Sequence, residues 1–187
     1  MIGNSPYKED IARLFREGLD LERLHGKTIL VAGATGLVGG CVVDVLMQNP
    51  VRCYKVIAAG RNKERARQKF AAYWGDESFF FAEIDVTQPV TKSMDRMIGE
   101  PVYDELAEGA DYIIDAASNA SPNFFSQHPV EVMKANINGV SNLLEYGLSH
   151  RMKRMVYISS GEIYGEGDGS EFSEKSSGYV DCASVRA

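Results

Sequence analysis

The chain has 187 residues, 44% hydrophobic and 25% charged, which predicts one domain with a full core. Its net charge of −6 and pI near 5.1 come with no basic stripe, which argues against a nucleic-acid or anionic-membrane surface. With no signal peptide and no run of about 18 apolar residues, a cytoplasmic protein without a membrane partner is expected.

The first pattern is helical: Ile11, Leu14 and Phe15, then Leu19, Leu21 and Leu24, with Gly26 as a stop. It predicts a helical N-terminal extension over residues 1–26 that lies on the domain. The apolar run 28–32 predicts a strand, and it leads directly into Gly33-Ala34-Thr35-Gly36-Leu37-Val38-Gly39. Glycine has three separate uses in such a turn: a positive φ, close approach of backbone to a phosphate, and close packing of the next helix on the strand. The free N–H groups that open the helix then face an anion. A helical pattern follows (Leu37, Val38, Cys41, Val42, Val45, Leu46) and stops at Asn49-Pro50, before a second strand at 55–59.

Further along, Asn62 is placed to cap a charged helix over 63–74. Strands are expected at 79–84, 111–115 and 154–159, with a poorly patterned helix over 91–107 and a long one over 130–149. This alternation predicts an α/β fold built on a doubly wound parallel sheet over residues 27–165. After Tyr164 the composition turns to Gly, Ser and Glu, so 165–177 is expected to be a mobile loop, either a lid over substrate or a tail. Cys41, Cys53 and Cys182 lack the spacing of a disulfide framework or a zinc site and read as two buried thiols and one in a loop. No metal is expected.

Five motifs then occur in order: Gly-x-x-Gly-x-x-Gly at 33–39, Asp85-Val86-Thr87, Ala116-Ala117-Ser118-Asn119-Ala120-Ser121-Pro122, Asn136-x-x-Gly139, and Ile158-Ser159-Ser160-Gly161-Glu162-Ile163-Tyr164-Gly165. Together they resemble an extended short-chain dehydrogenase/reductase of the epimerase/dehydratase type. The Ala-Ser-x-Ala-Ser-Pro and Ser-x-Glu-x-Tyr-Gly stretches are most similar to UDP-glucuronate decarboxylases, with dTDP-glucose 4,6-dehydratases and nucleotide-sugar epimerases close behind. The resemblance covers residues 27–187 and implies a Rossmann fold, a nucleotide-sugar substrate and a homodimer paired through the helix at 130–149. That helix's apolar residues can equally face their own sheet.

The same resemblance implies the site. Gly33, Thr35, Gly36, Leu37, Val38 and Gly39 would hold the dinucleotide pyrophosphate, and Asp85 with Val86 the adenine. Ala116, Ala117, Ser118 and Ser159 would line the cofactor, and Asn136 would brace active-site backbone beside it. Ser121 and Pro122 would meet the substrate. Ser160 occupies the position of a catalytic Ser or Thr that hydrogen-bonds the sugar C4 oxygen, and Glu162 that of an active-site carboxylate.

Three departures qualify this picture. No tyrosine in the chain has a lysine four residues on. The stretch 182–187 resembles the approach to the family's Tyr-x-x-x-Lys pair, so the chain reads as the cofactor-binding piece of a longer enzyme, inactive alone for want of its general base and substrate domain. A natural loss of that tyrosine would leave a dinucleotide-binding or sensor module. At the end of the second strand, Gly60-Arg61 replaces the acidic residue that accepts from the ribose hydroxyls; Arg61 can pair with a 2′-phosphate, and Lys63 and Arg65 add charge. The residues thus lean to NADP and the family to NAD; NAD is the expected cofactor on family grounds, with NADP the alternative that Gly60-Arg61 offers. Finally, Gly161 stands where dehydratases carry an acid, so decarboxylation or epimerisation is favoured over dehydration.

Overall fold

The structure is a computed structural model and describes residues 6–118, 121–166, 169 and 171–180. Five short runs rich in apolar residues form β1 (Thr28–Ala32), β2 (Lys55–Gly60), β3 (Phe79–Glu83), β4 (Tyr112–Asp115) and β5 (Arg154–Tyr157). They pair in the order β3-β2-β1-β4-β5, and every pairing is parallel. The helices are α1 (Pro6–Arg16), α2 (Leu37–Gln48), α3 (Lys63–Lys69), α4 (Val90–Met94), α5 (Pro101–Glu108), α6 (Pro122–Gln127) and α7 (Pro129–Ser149). The fold is a Rossmann-like α/β sheet, as the alternation predicts.

β1 is central and buried on both faces, which is why it reads as an unbroken apolar run. Alternate side chains separate into two cores. Ile29 and Val31 pack with Val43 and Leu46 of α2 and with Ala66 and Phe70, whereas Leu30 and Ala32 pack with Val90, Leu106 of α5 and Leu143 of α7. Each large apolar side chain so buried contributes about 1.5–3 kcal/mol, and β1 supplies such side chains to both cores.

The inward face of α2 differs from the sequence pattern. Gly39, Gly40, Val43, Leu46 and Met47 are buried, while Leu37 and Val38 are exposed, Leu37 by 89%. The helix is apolar nearly all round, so periodicity offers little contrast, and it meets the sheet through its glycines. Cys41 on this helix and Cys53 in the loop before β2 are both exposed, which corrects the expected burial of two thiols; Cys182 lies outside the described residues.

Other boundaries differ for local reasons. Asn62 Oδ1 accepts from Arg65 N at 2.7 Å, as a cap should. Yet α3 ends at Lys69, because Phe70, Tyr73 and Trp74 turn inward onto Phe79. The segment expected as one helix over 91–107 is split by Gly99, at φ +86°, and by Pro101, which opens α5. Helix α6 has no counterpart in the sequence pattern. The N-terminal helix ends at Arg16 and lies on α2, where Tyr7 Oη donates to Asp44 Oδ2 at 2.8 Å. Tyr73 Oη donates to the other oxygen, Oδ1, at 2.9 Å, so one carboxylate joins α1 to the turn after α3.

The loop after Tyr164 is irregular, but its ends are pinned together. Glu166 N donates to Tyr179 O at 2.8 Å, Gly178 N donates to Tyr164 O at 2.7 Å, and the rings of Tyr164 and Phe172 stack 5.3 Å apart. Among the described residues no helix is long and apolar enough to cross a membrane.

Candidate functional site

From β3, at one edge, the chain returns to the far side of β1 as β4. The strand order therefore reverses between β1 and β4, and in open α/β sheets ligands bind in the crevice outside the strand ends at that reversal. A groove of about 470 Å³ lies there, lined by Gly33, Thr35, Gly36, Arg61, Asp85, Val86, Ala116, Ala117, Ser118 and Ser121 among others. Residues that the sequence singles out separately thus come together from four strand ends.

The glycine turn forms one wall. Gly33 sits at φ +71°, and a Cβ there would lie 2.4 Å from Ala116 O. On Gly39 a Cβ would lie 2.5 Å from Gly33 O, so this glycine is what lets α2 start directly behind β1. Gly36 is the N-cap residue of α2 and supplies no side-chain cap, so the N–H groups of Leu37, Val38 and Gly39 open the helix without one. An uncapped helix start beside a glycine turn is the geometry that accepts a phosphate. Lys69, which the sequence does not suggest, reaches back from α3 and donates through Nζ to Gly36 O and Thr35 O. Burial lowers its pKa, and the nearby Asp44 opposes that shift.

At the end of β3, Asp85 Oδ1 accepts from Thr87 N at 3.0 Å and from Thr87 Oγ1 at 2.8 Å. Asp85 thereby stands fixed on the wall of the groove. The expected bracing by Asn136 is not formed among the described residues, where its Oδ1 is buried without a partner. The bond that ties α7 to the groove is made further along the helix, by Asn142 Nδ2 to Val86 O at 2.8 Å. Lys63 turns away into an ion pair with Glu100 at 2.7 Å and adds nothing to the groove, contrary to expectation. α6 supplies Asn123, Phe124 and Gln127 to the groove wall. Ser121 precedes α6 with no side-chain cap bond, and Pro122 is its first residue; Asn119 and Ala120 lie outside the described residues.

Ser159, Ser160 and Glu162 do not line the groove. Ile158 N donates to Asp115 O at 2.9 Å, so the β4–β5 pairing runs one residue past the strand and brings Ser159 and Ser160 to the same sheet edge as Ala116 and Ala117. Both serines are exposed, and Ser160 Oγ accepts from Glu162 N at 3.3 Å, capping a single 3-10 turn at Gly161–Tyr164. The stretch 182–187 lies outside the described residues.

Asp115, at the end of β4, holds the backbone of Ala117, a residue of the groove wall. It is 1% exposed, and its Oδ1 accepts from Ala117 N at 3.0 Å. Burial raises its pKa and outweighs the opposing Ala117 N–H. A carboxyl whose folded pKa is raised favours folding most below its unfolded pKa, about 3.9, and loses that advantage as pH rises through the folded value. Asp115→Asn keeps an acceptor for Ala117 N and cannot ionise. Its stability relative to the parent should therefore increase from pH 4 to pH 7 in thermal melts, by about 1.4 kcal/mol for each tenfold change in the acid constant. A difference that does not vary with pH would overturn this account.

The fold and this groove define a Rossmann-type domain whose open face lies at the strand-order reversal. Residues 29–184 match the NAD dependent epimerase/dehydratase family, and the chain belongs to that family. It is 30% identical over 139 residues to UDP-glucuronic acid decarboxylase 3 of Arabidopsis thaliana, covering 74% of this chain and 35% of the relative. The chain thus spans about a third of the length of the decarboxylase it matches. Among solved structures, UDP-glucose 4-epimerase of Thermotoga maritima, crystallised with UDP-glucose, aligns with TM-score 0.55 at 26% identity over 75% of this chain and 40% of that one. A dTDP-glucose 4,6-dehydratase of Streptomyces venezuelae with NAD bound aligns with TM-score 0.64 at 21% identity, over 79% of this chain and 44% of that one, and attests the fold.

Proposed function

We propose that this chain is the dinucleotide-binding part of a nucleotide-sugar enzyme that oxidises the sugar transiently at C4, with decarboxylation of UDP-glucuronate as its reaction. The observation that carries the reading is the glycine cradle at the strand-order reversal, with Ser160 and Glu162 at the next strand end along the same sheet edge. The bound dinucleotide would supply hydride acceptance from C4 and its return.

Gly33, Gly36 and Gly39 with the start of α2 hold the pyrophosphate, and Asp85 and Val86 the adenine end. Ser160 hydrogen-bonds the C4 oxygen, and Ser121 and Pro122 flank the sugar. The reaction needs a general base at the C4 hydroxyl, the part a tyrosine with its lysine would play, and this reading assigns it to no residue of 1–187. Once C4 is a ketone, the uronic acid is a β-keto acid: the C5–C6 bond breaks, carbon dioxide leaves, and its electron pair passes to the C4 carbonyl as an enolate, which is then protonated at C5. Gly161 gives no proton, so nothing at that position expels a hydroxyl group. Val130, Met133 and Ile137 of α7 are exposed, which supports pairing of two copies through this helix.

The test uses the full-length protein with UDP-glucuronate labelled with carbon-13 at C6. Labelled carbon dioxide and UDP-xylose are expected. UDP-galacturonate without gas would establish a 4-epimerase instead, and no turnover despite dinucleotide binding would leave a binding or sensor module.

A further inference from the structure

We propose that Arg61 and Arg65 form a 2′-phosphate subsite, so that the groove takes NADP(H) in preference to NAD(H); the inference rests on the dinucleotide reading above. In Rossmann domains the residue ending the second strand faces the adenosine ribose, and a carboxylate there accepts from the 2′-hydroxyl and repels a 2′-phosphate. Gly60 occupies this place, with Arg61 next to it, and both line the groove.

The backbone does not require the glycine. Gly60 lies outside the left-handed region, and a Cβ built on it comes closest to Thr35, at 3.5 Å to Oγ1 and 3.6 Å to Cγ2, which is ordinary contact. A side chain can therefore begin there without a clash at its Cβ, so neither φ nor the space around the Cβ accounts for the missing carboxylate.

The cations of this segment divide by partner. Lys63 pairs with Glu100, Arg67 lies over the Trp74 ring at 5.5 Å, and Lys69 is bonded to the glycine turn. Arg61 and Arg65 are the two that line the groove, and their guanidinium groups make no hydrogen bond or ion pair among the described residues. Two exposed arginines four residues apart in the groove lining suit a phosphate monoester, which accepts paired, charge-assisted hydrogen bonds. The one carboxylate lining the groove among the described residues, Asp85, belongs to a different strand end and is held by Thr87.

The test is a calorimetric titration of the full chain, shown to be folded by circular dichroism, with NADP+ and NAD+ at low and at physiological ionic strength. NADP+ should bind at least about tenfold more tightly, and salt should narrow the gap because the extra contact is between exposed charges. In the double variant Arg61→Ala/Arg65→Ala, whose changes are on the surface, NADP+ affinity should fall to that of NAD+ while NAD+ affinity stays within about twofold. Gly60→Asp should reverse the preference. Equal binding of the two dinucleotides, or tighter NAD+, would overturn the subsite and leave the dinucleotide reading standing. A folded chain that binds neither would overturn both.

Discussion

Gly33→Val is expected to abolish dinucleotide binding and to lower thermal stability by several degrees. The new Cβ would lie 2.4 Å from Ala116 O, 2.6 Å from Ala116 C and 2.7 Å from Ala117 N, all backbone atoms at the end of the neighbouring strand. None is the flexible end of a side chain, so β1 and β4 would have to separate where the groove floor forms. The residue also sits at φ +71°, which a β-branched side chain adopts only as an outlier. A combined cost of about 3 kcal/mol is reasonable for strain plus overpacking, and in a domain of this size that corresponds to a melting point lowered by roughly 6–12 °C. Gly36→Ala is the informative comparison. Its φ of −73° is ordinary, and its Cβ would approach Gly33 O at 3.1 Å, so the fold should survive with a small loss. The added methyl group at the N-cap of α2 should still crowd a phosphate held there and weaken binding about tenfold or more. Melting curves and titrations of the two variants check this: equal losses of stability, or full binding by Gly33→Val, would show that the turn is not the cradle described.

The legible part of the fold is the part in which several local signals agree. For β1, the glycine turn, α2 and β2, an apolar run, a turn that needs glycine and a helix stop at Asn49-Pro50 all point the same way, and the parallel order follows. Where a single signal stands alone, it misleads. The pattern misplaces the inward face of α2 because nearly all its residues are apolar, so burial is decided by which side can approach the sheet, and that is the side of Gly39 and Gly40. It overextends the helix at 63–74 because aromatic residues at helical spacing also suit a turn that folds them inward. α6 spans six residues, too few for a period to show.

The groove is legible for a related reason. Gly33, Asp85 and Ala116 are strand-end residues, and once the strand order is known their convergence follows from topology. Lys69 and Asn142 escape a reading of the sequence because each acts across the fold, one on the carbonyls of the glycine turn and the other on Val86 O, with nothing in the local sequence to mark it. A motif singles out Asn136, yet the bond to the groove is made by Asn142, further along the same helix.

Ser160→Ala in the full-length protein should lower kcat for UDP-glucuronate by about 10²- to 10³-fold, the range for losing one group that handles the reacting proton. Dinucleotide affinity should be nearly unchanged, because Ser160 stands at the end of β5 and does not line the groove. A purely structural role is the competing explanation, since Ser160 Oγ caps the turn that carries Glu162. Loss of that cap is worth about 1 kcal/mol of local stability and would not by itself cost a hundredfold in rate. Ser160→Thr keeps the hydroxyl for both the turn and the sugar and should retain most of the rate, whereas Ser160→Asn separates the two: its side-chain oxygen can still cap the turn, so stability should hold while the rate falls. Glu162→Gln keeps the side chain's shape and removes its charge, so a rate loss there with an unchanged melting point would assign the carboxylate to the chemistry. Normal turnover by Ser160→Ala, or full turnover by Ser160→Asn, would remove Ser160 from the reaction and leave it as the cap of a turn.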